Sequence, residues 1–173
     1  MKKKNLIERN LNILHYSLYK IETRLHFLFN KINPALLLYK VPFIKKRMKN
    51  KFEIDNALEF HNNFWTDKKN GFALRFTGGW LIVIIAIALI SFGKIGISFI
   101  QPGIGLSAYY FLAMGAISFV ICYYLVFKED HYLKYFAEFE NWTKARRRLN
   151  AFLSIGSIIL IIAFFFISLL YFK

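Results

Sequence analysis

The side chains able to do chemistry in this chain are few, and their spacing suits it poorly. Glu129-Asp130-His131 is a compact polar cluster that would offer a metal two carboxylates and an imidazole; at the edge of a long apolar segment it reads instead as a solvated boundary. Glu59 and His61 stand two apart, which does not bring them together on a helix. Cys122 is the only cysteine, so disulfides and cysteine-based zinc sites are excluded within one chain. No Ser/His/Asp order, phosphate-cradling glycine loop or dinucleotide fingerprint occurs. No catalytic, metal-binding or cofactor-binding residue is assigned, no cofactor is expected, and the chain is not read as an enzyme.

Arg9-Asn10-Leu11-Asn12-Ile13-Leu14-His15 resembles the loose Arg–polar–x–His form of HEPN-type ribonucleases. One Arg and one His at variable separation arise readily in a basic chain, and this pair falls within a helix patterned for packing. No activity is drawn from it. Proton or cation transfer across a membrane usually needs a carboxylate or histidine inside a span, and the long apolar segments hold no Asp, Glu or His. Lys94 is the one charge within them. It lies 14 residues after Trp80, about 21 Å of helix rise in a hydrocarbon core about 30 Å thick. A lysine there is expected to snorkel to the outer interface, with a role at a pore mouth or helix interface as the alternative.

The apolar segments that position these residues are 77–100, 105–127 and 151–172. Each matches the roughly 20 helical residues that cross a bilayer. Gln101-Pro102-Gly103-Ile104 places Pro and Gly at the centre of a type II turn, predicting a tight antiparallel hairpin of the first two spans. Ser118 and Cys122 stand at small-x-x-x-small spacing, so span two is expected to face protein, and the far half of span three to face lipid. The loop 128–150 is expected to continue span two as an amphipathic rod to about Asn141, supported by the Glu140/Lys144 pair.

Charge orients these spans. Of 24 Lys+Arg, 16 fall in residues 1–76, against 6 Asp+Glu, and 6 fall in 128–150 against 4. Basic residues near span ends stay inside, which predicts an inner membrane, bacterial or mitochondrial, with the N-terminus inside and the C-terminus outside. Met1-Lys2-Lys3-Lys4 is followed by Glu8, Arg9 and Lys20 rather than an apolar run, so no secretory cleavage is expected. The sequon Asn141-Trp142-Thr143 falls on the inside, where it would not be used.

Residues 1–76 read as a basic amphipathic helical region, and 77–173 as the three-span domain. Ile7, Leu11, Leu14, Leu18, Ile21, Leu25, Leu28 and Ile32 form an unbroken heptad seam for partner binding, ended by Pro34. Aromatic residues off the seam widen the apolar face enough to pack on protein or lipid as well. Lys45, Lys46, Arg47, Lys49 and Lys51 form a basic run, and Arg146, Arg147 and Arg148 a second. Both suit anionic lipid head groups rather than nucleic acid, each charge contributing about 1 kcal/mol. Asn50 with Glu53 has the form of a capping box starting a helix through about Trp65, and Asp67–Gly71 reads as a turn.

These observations describe an all-α membrane protein: three transmembrane helices, the first two an antiparallel hairpin, and an N-terminal amphipathic helical region. The apolar surface outside the spans is large for about 100 residues, which marks a partner. The expected role is a non-catalytic accessory subunit, scaffold or assembly factor of a larger inner-membrane complex. A homo-oligomeric pore or small membrane effector is the alternative.

Overall fold

The computed structural model describes residues 5–39, 41–101 and 105–171. Every element among them is helical: α1 Leu6–Asn30, α2 Pro34–Leu38, α3 Pro42–Phe52, α4 Ala57–Thr66, α5 Phe72–Ile100, α6 Ala108–Cys122, α7 His131–Glu140 and α8 Lys144–Tyr171, with a π-helical turn at Tyr123–Phe127 and a 3-10 turn at Lys128–Asp130 between α6 and α7. Three stretches, Phe72–Ile100, Ala108–Glu140 and Lys144–Tyr171, are long and apolar enough to cross a membrane. The chain is an all-α, multi-pass membrane protein. It divides into two compact units, Met1–Leu18 with Gly78–Lys173, and Tyr19–Thr77.

In the first unit α5 and α6 run antiparallel, because Gly78 faces the Phe127 ring at one end and Gly93 faces Tyr110 at the other. A Cβ on Gly93 would overlap the Tyr110 hydroxyl, which donates to the Ile90 carbonyl at 3.0 Å. Glycine at 93 therefore lets a phenol reach the backbone of the neighbouring span. α8 runs parallel to α5: Trp80, Val83, Ile84 and Ile87 meet Ile158, Ile161 and Ile162 around a small apolar crevice, and Phe92 meets Phe164 farther along. Ser118 and Cys122 are fully covered, as their spacing implied, yet α5 rather than α6 is the most buried of the three. α8 exposes apolar side chains along its whole length, from Phe152 to Tyr171. The residues of the expected Pro102-Gly103 turn lie outside the described residues.

Span two does not continue as a straight rod. After the wider π turn, Glu129 (φ 54°, ψ 31°) and Asp130 (φ 54°, ψ 33°) both adopt left-handed conformations and break the helix. For residues carrying a Cβ this costs about 1 kcal/mol or more each. The return is α7, re-aimed so that Tyr132, Tyr135, Phe136 and Phe139 are all buried.

In the second unit three local readings are corrected. α1 stops at Asn30, so Ile32 lies beyond it, and Pro34 begins α2 rather than merely ending α1. This is the first-turn position where proline's missing N–H and fixed φ cost nothing. The box at Asn50/Glu53 does not start a helix: both fall at the end of α3, where Glu53 closes it in the left-handed conformation (φ 58°). The same Asn-x-x-Glu letters six residues later do the capping. Asn56 Oδ1 accepts from Glu59 N at 3.2 Å, and Asn56 Nδ2 reaches Glu59 Oε2 at 3.4 Å. The turn at Asp67–Gly71 forms, with Asp67 Oδ1 accepting from Lys69 N and Asn70 N. A Cβ at Gly71 would overlap the Asp67 carbonyl and stand 2.8 Å from that of Trp65.

Asn56→Ala should destabilise the chain by about 1 kcal/mol, whereas Asn50→Ala should cost a few tenths at most. Thermal unfolding of the two variants in one detergent checks the order, and equal effects would return the cap to Asn50.

Candidate functional site

α1 carries two stripes with the same heptad rhythm, and the structure buries the one that is not aliphatic. Asn12, His15, Tyr16, Tyr19 and His26 are all covered. The predicted seam lies one residue back, about 100° around the helix. Leu11, Leu14, Leu18 and Ile21 are half-buried, while Ile7, Leu25, Leu28 and Ile32 are 63%, 42%, 58% and 76% exposed. The aliphatic edge is left open because the polar and aromatic edge is used within the chain.

In the first unit that edge forms a polar cluster against α7 and the end of α6. Asn12 Nδ2 donates to the Glu8 carbonyl at 2.8 Å and to the Leu125 carbonyl at 3.1 Å. Leu125 lies in the π turn, just before the helix breaks, where carbonyls lose their in-helix partners. Tyr135 donates to Glu8 Oε1 at 3.0 Å, Arg9 pairs with Glu138 at 3.4 Å, and His131 Nδ1 stands 3.9 Å from Glu8. Ser17 and Ser154 share a buried hydroxyl–hydroxyl bond of 3.0 Å. His15 is fully covered, with the rings of Phe127, Tyr132 and Phe136 centred 5.3–5.8 Å away. Arg9 and His15 are thus drawn to different surroundings, an ion pair and an aromatic cage. The cluster thereby joins α1 to α7 and the end of α6.

A second cluster lies wholly in the Tyr19–Thr77 unit. The His26 ring stacks on Trp65 at 4.6 Å and 9°, with His61 5.0 Å away. Its Nε2 lies 3.2 Å from Asn62 Oδ1 and 2.9 Å from Asn30 Nδ2, which itself donates to Asn62 at 2.7 Å. Burial holds the His26 pKa below the ordinary 6.5; the bond to Asn62 opposes this and the charge of His61 adds to it. Among the described residues no three His, Cys, Asp or Glu side chains converge as a metal site would require.

The basic residues are dispersed. Lys46, Arg47 and Lys51 share one face of α3 with the exposed Phe43, whereas Lys45 lines a separate cavity of about 690 Å³. Lys49 pairs with Asp55 at 2.8 Å, and that bond holds the Asp55 carboxyl below its usual range. Arg146 lies over the Trp142 ring at 4.4 Å, while Arg147 and Arg148 follow in the first turns of α8. Lys94 is 6% exposed, beside the buried Ser91 on α5. Its side chain is covered within the chain. The sequence reading missed the polar stripe of α1, although its signal was present: Asn12, His15, Tyr19, His26 and Asn30 keep a spacing of three, four or seven.

No family model, curated protein or solved structure matches the chain.

Asn12→Leu should cost about 1–3 kcal/mol by stranding the Leu125 carbonyl, read as a lower unfolding temperature in detergent. An unchanged temperature would show that Asn12 does not hold the helix end. For His26 the unfolded chain takes up the proton first as pH falls, so stability is full above about 6.5 and declines toward the lower folded-state value. With Trp80 and Trp142 replaced by Phe, Trp65 emission should be quenched by the stacked imidazolium with a midpoint below 6.5. A midpoint at or above 6.5 would contradict the buried stack.

Proposed function

We propose that the chain is a non-catalytic accessory subunit of a larger inner-membrane assembly, in a bacterium or mitochondrion, with its N-terminus inside and its C-terminus outside. In this reading the spans hold the protein in the bilayer, and the α1 edge with the Tyr19–Thr77 unit holds unlike subunits. The observation that carries it is the open aliphatic edge of α1. A helix whose other face is already packed within the chain still offers Ile7, Leu25 and Leu28 to a neighbour. The Tyr19–Thr77 unit supports the reading further. Phe27, Phe29, Phe43, Phe60 and Phe64 are all at least 45% exposed there, and apolar surface of this extent usually marks an interface. The basic balance of residues 1–76 favours acidic partner surfaces and anionic lipid head groups.

Purification of the full chain from its native membrane in a mild detergent should recover unlike membrane proteins in fixed proportion, and Leu25→Glu with Leu28→Glu should release them while the chain stays folded. Recovery as a ring of one chain that conducts ions would overturn this reading in favour of a pore, and Lys94→Ala would then change the conductance.

A further inference from the structure

The Tyr19–Thr77 unit carries the 690 Å³ cavity that Lys45 lines, a half-open cleft whose volume falls within the range of small-molecule sites. It collects residues from four parts of the unit: the end of α1, α2, α3 and the start of α4. Its lining has two chemistries. Lys31 and Lys45 bring positive charge, with the amides of Asn30, Asn33 and Asn56 beside them, while Leu36, Met48, Ile54 and Leu58 bring apolar surface. Asp55 is the one acid in the lining; its carboxylate is bonded by Lys49, which lies outside the lining, and feels the charge of Lys45 more weakly. Among the described residues neither Lys31 nor Lys45 has a carboxylate within ion-pair distance, so the cavity keeps a net positive charge. Lys31 and Lys45 are exposed at the rim, where they can meet an anionic group, while Leu36, Met48 and Ile54 are half-buried and would be left uncovered by a small inorganic anion.

We propose that this cavity binds an anionic amphiphile, with a phosphate or carboxylate head group on Lys31 and Lys45 and an apolar tail against Leu36, Met48, Ile54 and Leu58. The site is independent of the subunit reading above. Such a molecule has two sources, a membrane phospholipid or a soluble acyl-chain anion, and both present the same chemistry to the cavity.

The test uses the full chain in mild detergent, with phosphatidylglycerol, phosphatidylcholine and dodecyl phosphate as probes and native mass spectrometry as readout. One phosphatidylglycerol or dodecyl phosphate per chain should be retained, with phosphatidylcholine held at least about tenfold less well. Retention of phosphatidylglycerol assigns the membrane as the source, and retention of dodecyl phosphate alone assigns a soluble ligand. Lys31→Glu with Lys45→Glu should reduce retention by about tenfold or more. Arg24→Glu, exposed on α1 and outside both the cavity lining and the basic runs, should leave it unchanged. Met48→Trp fills the cavity without altering any charge and should also expel the probe, which keeps the test decisive should the charge-reversed variant fail to fold. Retention of neither anion, or equal loss in Arg24→Glu and the cavity variants, would overturn the proposal.

Discussion

A helix that ends against other helices leaves carbonyl groups in need of a donor from elsewhere, and at Leu125 that donor is a side chain of α1. The π turn at Tyr123–Phe127 and the left-handed pair Glu129-Asp130 stop the second span within a few residues. Asn12, six residues into α1, donates to the exposed carbonyl. That bond ties the N-terminal helix to the end of a span more than 100 residues away. Once Asn12 is fixed, the turns that follow bring His15 into its aromatic cage, Tyr16 onto Phe136 and Phe139, and Ser17 onto Ser154. The break in span two and the docking of α1 are therefore two halves of one arrangement. The strain of two left-handed residues is tolerated because α7 then covers the same helix.

The consequence for function is a division of labour around one helix. The polar and aromatic stripe of α1 is used internally, so its aliphatic stripe stays on the surface. In an isolated soluble protein such an edge would be a liability; in the proposed assembly it is the surface a neighbouring subunit would cover. The Tyr19–Thr77 unit follows the same logic with a small interior. Tyr19, His26, Ala73, Leu74 and Thr77 are buried while a larger set of phenylalanines is not. Its interior is held by directional contacts instead: the Asn30–Asn62–His26 bonds, the Trp65 stack and the Asp67 turn.

The helical class and the three apolar stretches are properties of local composition, and they were legible without any coordinates. So were the turn before α5 and the burial of Ser118 and Cys122, because each depends on residues close together in the chain. The readings that needed correction share one feature. Asn50-x-x-Glu53 and Asn56-x-x-Glu59 have the same local signal, and what separates them is where α3 is forced to stop. The continuous rod through 128–140 was a fair reading of helical spacing, but spacing does not record that Glu129 and Asp130 can each adopt a left-handed conformation when the product is a buried aromatic face. For Lys94 the sequence showed a charge cost that snorkelling could relieve, whereas the cover over its side chain is a matter of packing that spacing does not record.

By itself, then, the sequence determined that this chain lives in a membrane, because some 20 consecutive apolar side chains have no other stable solvent, and that every basic residue but Lys94 lies outside those stretches. It could not determine which edge of α1 faces the protein. Both edges repeat with the same heptad rhythm, and a single helix has no preference between them. The choice fell to the tertiary structure, because a leucine edge can be covered by lipid or by a partner, whereas the Asn12 amide meets the Leu125 carbonyl, and the His15 ring its aromatic cage, only in the folded chain.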